Sequence, residues 1–213
     1  MTDTNVMANE FARNFYLKRK HFLKNSFESI EQLCLEEKHT EKVKNFISIL
    51  LTDVFYSILL GLDGEASIGN IQQTYKIYDE ADNLISDCGE LEVEAYEYFI
   101  ENKYEAENSK ADFVAALTYR TTEQGGRKTP AVSGYRPQIK FAFEEMQTSG
   151  EQTFIEHKMV FPGEMVNAEI KLLAPECFEN KLDYGMKFEF REGETVIGTG
   201  KILHIINKRL KKD

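Results

Sequence analysis

The stretch that decides the fold is Thr122-Glu123-Gln124-Gly125-Gly126-Arg127-Lys128-Thr129-Pro130, continuing through Gly134-Tyr135-Arg136-Pro137-Gln138 into Ile139-Lys140-Phe141-Ala142-Phe143. Glycines and prolines at this density set turns, because glycine reaches left-handed backbone and proline fixes φ. The run that follows alternates apolar with polar or small residues, the period of a strand with one face in a core. Outward from there the same period recurs. Residues 113–117, 139–143, 154–160, 166–172, 186–190 and 196–206 are six candidate strands, with turn signals at Gly125-Gly126, Gly150, Pro162-Gly163, Asn180 and Glu192-Gly193 between them. Six short strands in about a hundred residues predict a closed antiparallel barrel, an arrangement with no exposed sheet edge.

The first half has a different period. Phe11, Phe15, Phe22, Leu23, Phe27, Ile30 and Leu33 fall mostly at steps of three, four or seven, predicting one long helix or two shorter ones over 6–35. Thr40 can cap a second helix carrying Val43, Phe46, Ile47, Leu50, Leu51, Val54, Phe55, Ile58 and Leu59. That helix is apolar around more than half its circumference, so it is expected as the buried core of this half; polar residues at 48, 52, 53 and 57 argue against a membrane span. Gly61 to Gly64 ends it. Residues 74–78 and 84–85, around an acidic turn at 79–83, predict a β-hairpin. From Gly89 a third helix fits better than a strand, although 91–94 also alternates. The fold class expected is therefore α+β in two domains. Residues 1–104 form an acidic, mainly helical domain with a short hairpin, after a loose start at 1–5. A polar linker follows at 105–111, then a six-stranded barrel over 112–207 and a basic tail at 208–213.

Charge and cysteine content narrow the function. The net charge is −10, and all of it lies in residues 1–110, with 21 Asp/Glu against 11 Lys/Arg; residues 111–213 carry 15 of each. Residues 63–107 hold 13 acidic side chains and 2 basic ones. A nucleic-acid-binding face needs the opposite sign. The acidic block is either a solvated surface or a docking face for a basic protein, with Asp79, Glu80, Asp82, Glu90 and Glu94 as its candidate residues. Cys34, Cys88 and Cys177 are odd in number and far apart, which suits reduced thiols in the cytoplasm. No secretory leader pattern is apparent at the start.

Three landmarks give the barrel a family. The first is the glycine-rich stretch above, Gly125 to Pro130 with Gly134 to Gln138. The second is Met159-Val160-Phe161-Pro162-Gly163-Glu164. The third is Phe188-Glu189-Phe190-Arg191-Glu192-Gly193 followed by Gly198-Thr199-Gly200. Together, and in this order, they resemble the third, C-terminal domain of bacterial elongation factor Tu, over about residues 110–207. The resemblance implies a six-stranded antiparallel barrel that contacts the T-stem of aminoacyl-tRNA, packs on a GTPase domain and helps to bind the exchange factor. By position it marks Arg127, Lys128, Gln138 and the Glu192-Gly193 turn as candidate tRNA or protein contacts. Two departures weaken the tRNA role: Ala174 stands where the family is often basic, and Glu144-Glu145 places carboxylates near the expected RNA backbone. Gly125, Gly134, Pro137, Pro162, Gly163 and Gly193 have a simpler reading as turn formers, with Arg136 and Arg191 tying loops to the barrel.

Several motifs carry no chemistry in this context. Asn180-Lys181-Leu182-Asp183 spells a guanine-specificity signature, but no phosphate-binding loop accompanies it, so no nucleotide is expected. His21, His39, His157 and His204 are isolated, so no metal or other cofactor is expected. The reading is a non-catalytic binding or adaptor protein that presents an elongation factor Tu-like surface to a protein partner, as decoy, regulator or immunity-type protein. A tRNA- or ribosome-binding module, with the Lys208-Arg209-Lys211-Lys212 tail assisting, is the alternative. An enzyme with an interdomain site is the remaining one. No membrane partner is expected.

Overall fold

The protein is described here from a computed structural model, which covers residues 4–87 and 89–212. Expectations that fall on residues 1–3, Cys88 and Asp213 lie outside the described residues. The chain folds as two compact units, Met1–Lys103 and Tyr104–Asp213.

The first unit is built on two long helices, α1 (Thr4–Glu31) and α2 (Glu37–Asp63). A two-stranded hairpin follows, β1 (Ile77–Tyr78) and β2 (Leu84–Ser86), and then α3 (Glu90–Phe99). Helix α1 buries Ala8, Ala12, Tyr16, Arg19, Leu23 and Ile30, mostly at steps of four and seven. Helix α3 answers with Leu91, Ala95, Tyr98 and Phe99. The Tyr16 ring meets Phe99 edge-on with centroids 5.2 Å apart, a favoured aromatic geometry. The hairpin turn is held by Asp79, whose carboxylate accepts from the backbone N–H groups of Ala81 and Asn83, each at 2.8 Å.

Three expectations for this unit and the segment after it need correcting. Thr40 is not the cap of α2; the helix begins at Glu37, and the Thr40 hydroxyl donates back to the Leu35 carbonyl at 3.3 Å. The end of α2 falls inside the expected Gly61–Gly64 stretch, at Gly64, whose φ of +87° is the left-handed position that closes the helix. The polar stretch read as a linker contains a short helix, α4 (Lys103–Asn108). The largest correction concerns α2 itself. Its inward residues are Glu41, Lys44, Ser48, Leu59, Gly61 and Asp63, while Phe46 is 65% exposed and Ile49, Leu50, Val54 and Ile58 are exposed as well. The reason lies in the facing helix. Arg19 is buried and donates to Ser48 Oγ at 3.1 Å and Thr52 Oγ1 at 3.0 Å, and Lys44 pairs with Glu31 at 2.7 Å. Buried cations need such partners, so the polar face of α2 must turn inward.

The second unit is a closed barrel of six antiparallel strands. They are β3 (Phe113–Tyr119), β5 (Gln138–Phe141), β6 (Thr148–Phe154), β8 (Met165–Leu172), β9 (Lys187–Glu192) and β10 (Thr195–Ile205). Around the barrel they run β10-β3-β8-β6-β5-β9, and β9 closes on β10. A two-strand ribbon, β4 (Ala131–Val132) with β7 (Met159–Val160), lies beside it. The interior is filled by Phe113, Leu117, Ile139, Phe141, Ile170 and Phe190, among others. Gly198 and Gly200 make room for the rings: a Cβ on either would come within 2.2 Å of the Phe190 or Phe188 ring tip.

One strand differs from its sequence-based expectation. The third barrel strand is β6 at 148–154, not 154–160. Its sequence, Thr-Ser-Gly-Glu-Gln-Thr-Phe, has too few apolar residues to signal a core strand. Gly150, expected as a turn, is inside it because a Cβ there would lie 2.2 Å from Ile139 Cδ1. Met159 and Val160 belong instead to the ribbon, after a turn with Glu156 at φ +64°. The basic tail is also ordered. Residues Lys208–Leu210 form a 3-10 turn, Leu210 is fully buried, and its carbonyl accepts from the Leu182 N–H at 2.8 Å.

Candidate functional site

The glycine-rich stretch builds a loop clamp. Thr121 caps a 3-10 turn at Thr122–Gln124, and Gly125 takes the left-handed position, φ +82°, that ends it. Gly126 has no room for a side chain, since a Cβ would lie 2.2 Å from the Arg120 carbonyl oxygen. This path places Arg127 over the Tyr135 ring, 4.5 Å from its centroid, and in an ion pair with Glu192. The Tyr135 hydroxyl donates to the same Glu192 carboxylate at 2.6 Å. Burial pushes the Tyr135 pKa above its ordinary value, and Arg127 pulls it the other way. Gly193, at φ +59°, completes the tight β9–β10 turn that presents Glu192.

Of the five residues marked on the barrel, the structure therefore brings together Arg127, Glu192 and Gly193. The Arg127 guanidinium is engaged by a carboxylate and a ring. Lys128 is exposed on the same loop. Gln138 projects outward from β5, opposite Arg191 on β9. Arg136 pairs with Glu151 on β6, and Glu144 accepts from Lys181 at 2.9 Å, a bond that holds its carboxyl below the usual range.

A second feature has no counterpart in the sequence reading. The outer face of β3, β10, β9 and β5 carries an open groove of about 680 Å³. Its floor is small: Ala116, Thr118, Ala142 and Gly200. Lys140, Lys187 and Lys201 stand around it, with Glu189 between them. Register explains the grouping. Lys201 lies opposite Lys187 on one side and Ala116 on the other, while Thr199 lies opposite Glu189 and Thr118, and Glu189 opposite Lys140. Glu189 accepts from Arg191 Nε at 3.0 Å, and Lys201 sits over the Tyr184 ring at 5.6 Å. Lys187 and Lys201 face each other across the β9–β10 hairpin, and Lys140 joins them from β5, so only their outward positions in alternating strands could have signalled them.

The five candidate residues of the acidic half are largely engaged within the first unit. Asp79 holds the hairpin turn, and hydrogen bonds from Asn83 keep its carboxyl below the usual range. Glu90 accepts from Ser86 Oγ at 3.2 Å, and Glu94 from Lys103 Nζ at 2.9 Å. Glu80 and Asp82 are exposed. Among the described residues, no group of three or more His, Cys, Asp or Glu is placed to hold a metal ion. The Asn180–Asp183 motif serves the fold: Asn180 adopts φ +55°, its N–H donates to the Arg209 carbonyl, and Leu182 is fully buried.

Comparison with known families agrees with the topology. Residues 107–206 match the family model of the elongation factor Tu C-terminal domain. The match spans all six barrel strands, the loop clamp and the groove.

Proposed function

We propose that the protein is a translation-related binding module whose barrel presents an elongation factor Tu C-terminal-like surface to a protein partner. The barrel fold is that of a non-catalytic binding domain, so the module acts by occupying a partner's surface as adaptor, decoy or regulator. The observation that carries this reading is the lysine-edged groove on β3, β10, β9 and β5. A concave face with a small-residue floor accepts a protruding segment, and three lysines at its edge select one that carries carboxylates. The tRNA reading is less well supported. Arg127, its best candidate for a phosphate contact, is bound to Glu192 and Tyr135, and the remaining cations would give only weak, salt-sensitive binding.

The test is affinity capture of bacterial translation factors and ribosomal proteins by the full chain, compared with a Lys140→Glu/Lys187→Glu/Lys201→Glu variant. Retention by the wild type and loss by the variant, with unchanged circular dichroism, is the expected result. Equal capture by both chains removes the groove from the mechanism. Binding of labelled tRNA at low salt that is lost on Lys128→Ala substitution favours the RNA reading instead.

A further inference from the structure

Helix α2 turns its apolar residues away from the unit that contains it. Phe46, Ile49, Leu50, Val54 and Ile58 recur at steps of three and four on the exposed side, over roughly 18 Å at 1.5 Å per residue. The patch continues onto α1, where the exposed Phe22 meets Phe55 with ring centroids 6.1 Å apart. Large side chains have areas of about 150–250 Å², so these six expose on the order of 500 Å². A continuous apolar patch of that size lies within the ~300–600 Å² of the largest patch on a typical monomer, and such a patch is often functional.

The charges in the stripe indicate what docks there. Lys42 and Asp53 are exposed on the same face as Phe46, eleven residues apart and of opposite sign. We propose that a second copy of this chain packs α2 against α2 in antiparallel fashion. A two-fold axis near residues 47–48 sets Lys42 of each copy opposite Asp53 of the other and Phe46 opposite Ile49. Such an interface is isologous, so Lys42, Phe46, Ile49 and Asp53 supply both sides of its seam, with Leu50 beside it, while Val54 and Ile58 extend past the seam toward the Glu41 and Glu37 end of the second helix.

A lipid surface is the other occupant of suitable polarity. By length and composition alone, α2 is long and apolar enough to cross a bilayer. Asp53 in the middle of the stripe opposes that choice, since a carboxylate is costly to place in hydrocarbon. Helix insertion would also break the Arg19 bonds to Ser48 and Thr52.

Light scattering on the full chain at micromolar concentration tests the proposal. A mass near twice 24.6 kDa is expected. Leu50→Glu should give the monomer mass with unchanged helix content. Asp53→Lys should weaken the dimer at least tenfold, and adding Lys42→Asp should restore it by exchanging the pair. A monomeric wild type, or a dimer indifferent to all three variants, overturns the proposal. A monomeric wild type that floats with phosphatidylcholine vesicles assigns the stripe to lipid.

Discussion

Asp112 shows how much one side chain can hold. It is fully buried at the start of β3, and its carboxylate accepts from the Leu172 N–H at 2.8 Å and from Asn207 Nδ2 at 2.9 Å. Lys171 reaches it from the surface at 3.2 Å, while its own side chain stays 55% exposed. Water screens that ion pair, so most of the contribution comes from the two buried hydrogen bonds. Asp112→Ala leaves those donors without an acceptor and is expected to destabilise the barrel by about 3 kcal/mol. Asp112→Asn, which keeps one acceptor, should cost less. Urea denaturation of the full chain, followed by amide resonances of the barrel strands, measures both. Equal stability of Asp112→Ala and the wild type would show that the network is dispensable. Nothing in sequence sets this aspartate apart, because its partners lie 60 and 95 residues further along the chain.

At the scale of elements, the outcome depends on whether the decisive contact is local. Helix α3, the hairpin and five of the six barrel strands were legible from period and turn residues. Strand β6 was not. Its place is set by Gly150 beneath Ile139 and by pairing with β8, neither of which leaves an apolar trace in Thr148–Phe154. Helix α2 was legible as a helix and misread in orientation. Hydrophobicity alone would bury its apolar side, but Arg19 and Lys44 must be satisfied where they are, and that requirement fixes the rotation. The C-terminal segment inverts the expectation in another way. Its basic residues surround one leucine, and that leucine closes an end of the barrel beside Leu182 and Phe178. Leu210→Ala should therefore cost about 2–5 kcal/mol, as for other large-to-small changes in a core. Substituting Lys211, which is exposed, should change stability little. Thermal denaturation of the two variants separates a structural segment from a solvated tail.

At the scale of the whole molecule, each unit has its own buried core, which is the usual requirement for independent folding. A fragment of residues 104–213 is expected to give a dispersed amide spectrum and a cooperative unfolding transition by itself. A collapsed or aggregated fragment would show that the barrel needs the first unit. The candidate site divides in the same way between local and distant information. The loop clamp comes from neighbouring residues plus the Glu192 turn, and its glycines and Arg127 could be picked out in advance. The lysine groove could not be, since Lys140, Lys187 and Lys201 meet only once β5, β9 and β10 are in register. By itself the sequence determined the helices, most of the strands, the closed barrel and its resemblance to the elongation factor Tu C-terminal domain, because period and turn chemistry are local properties of the chain. Only the tertiary structure decided which way α2 faces, what Arg127 binds and where the lysines converge. Those outcomes depend on satisfying buried charge and on strand register, and both are set by residues far apart in sequence.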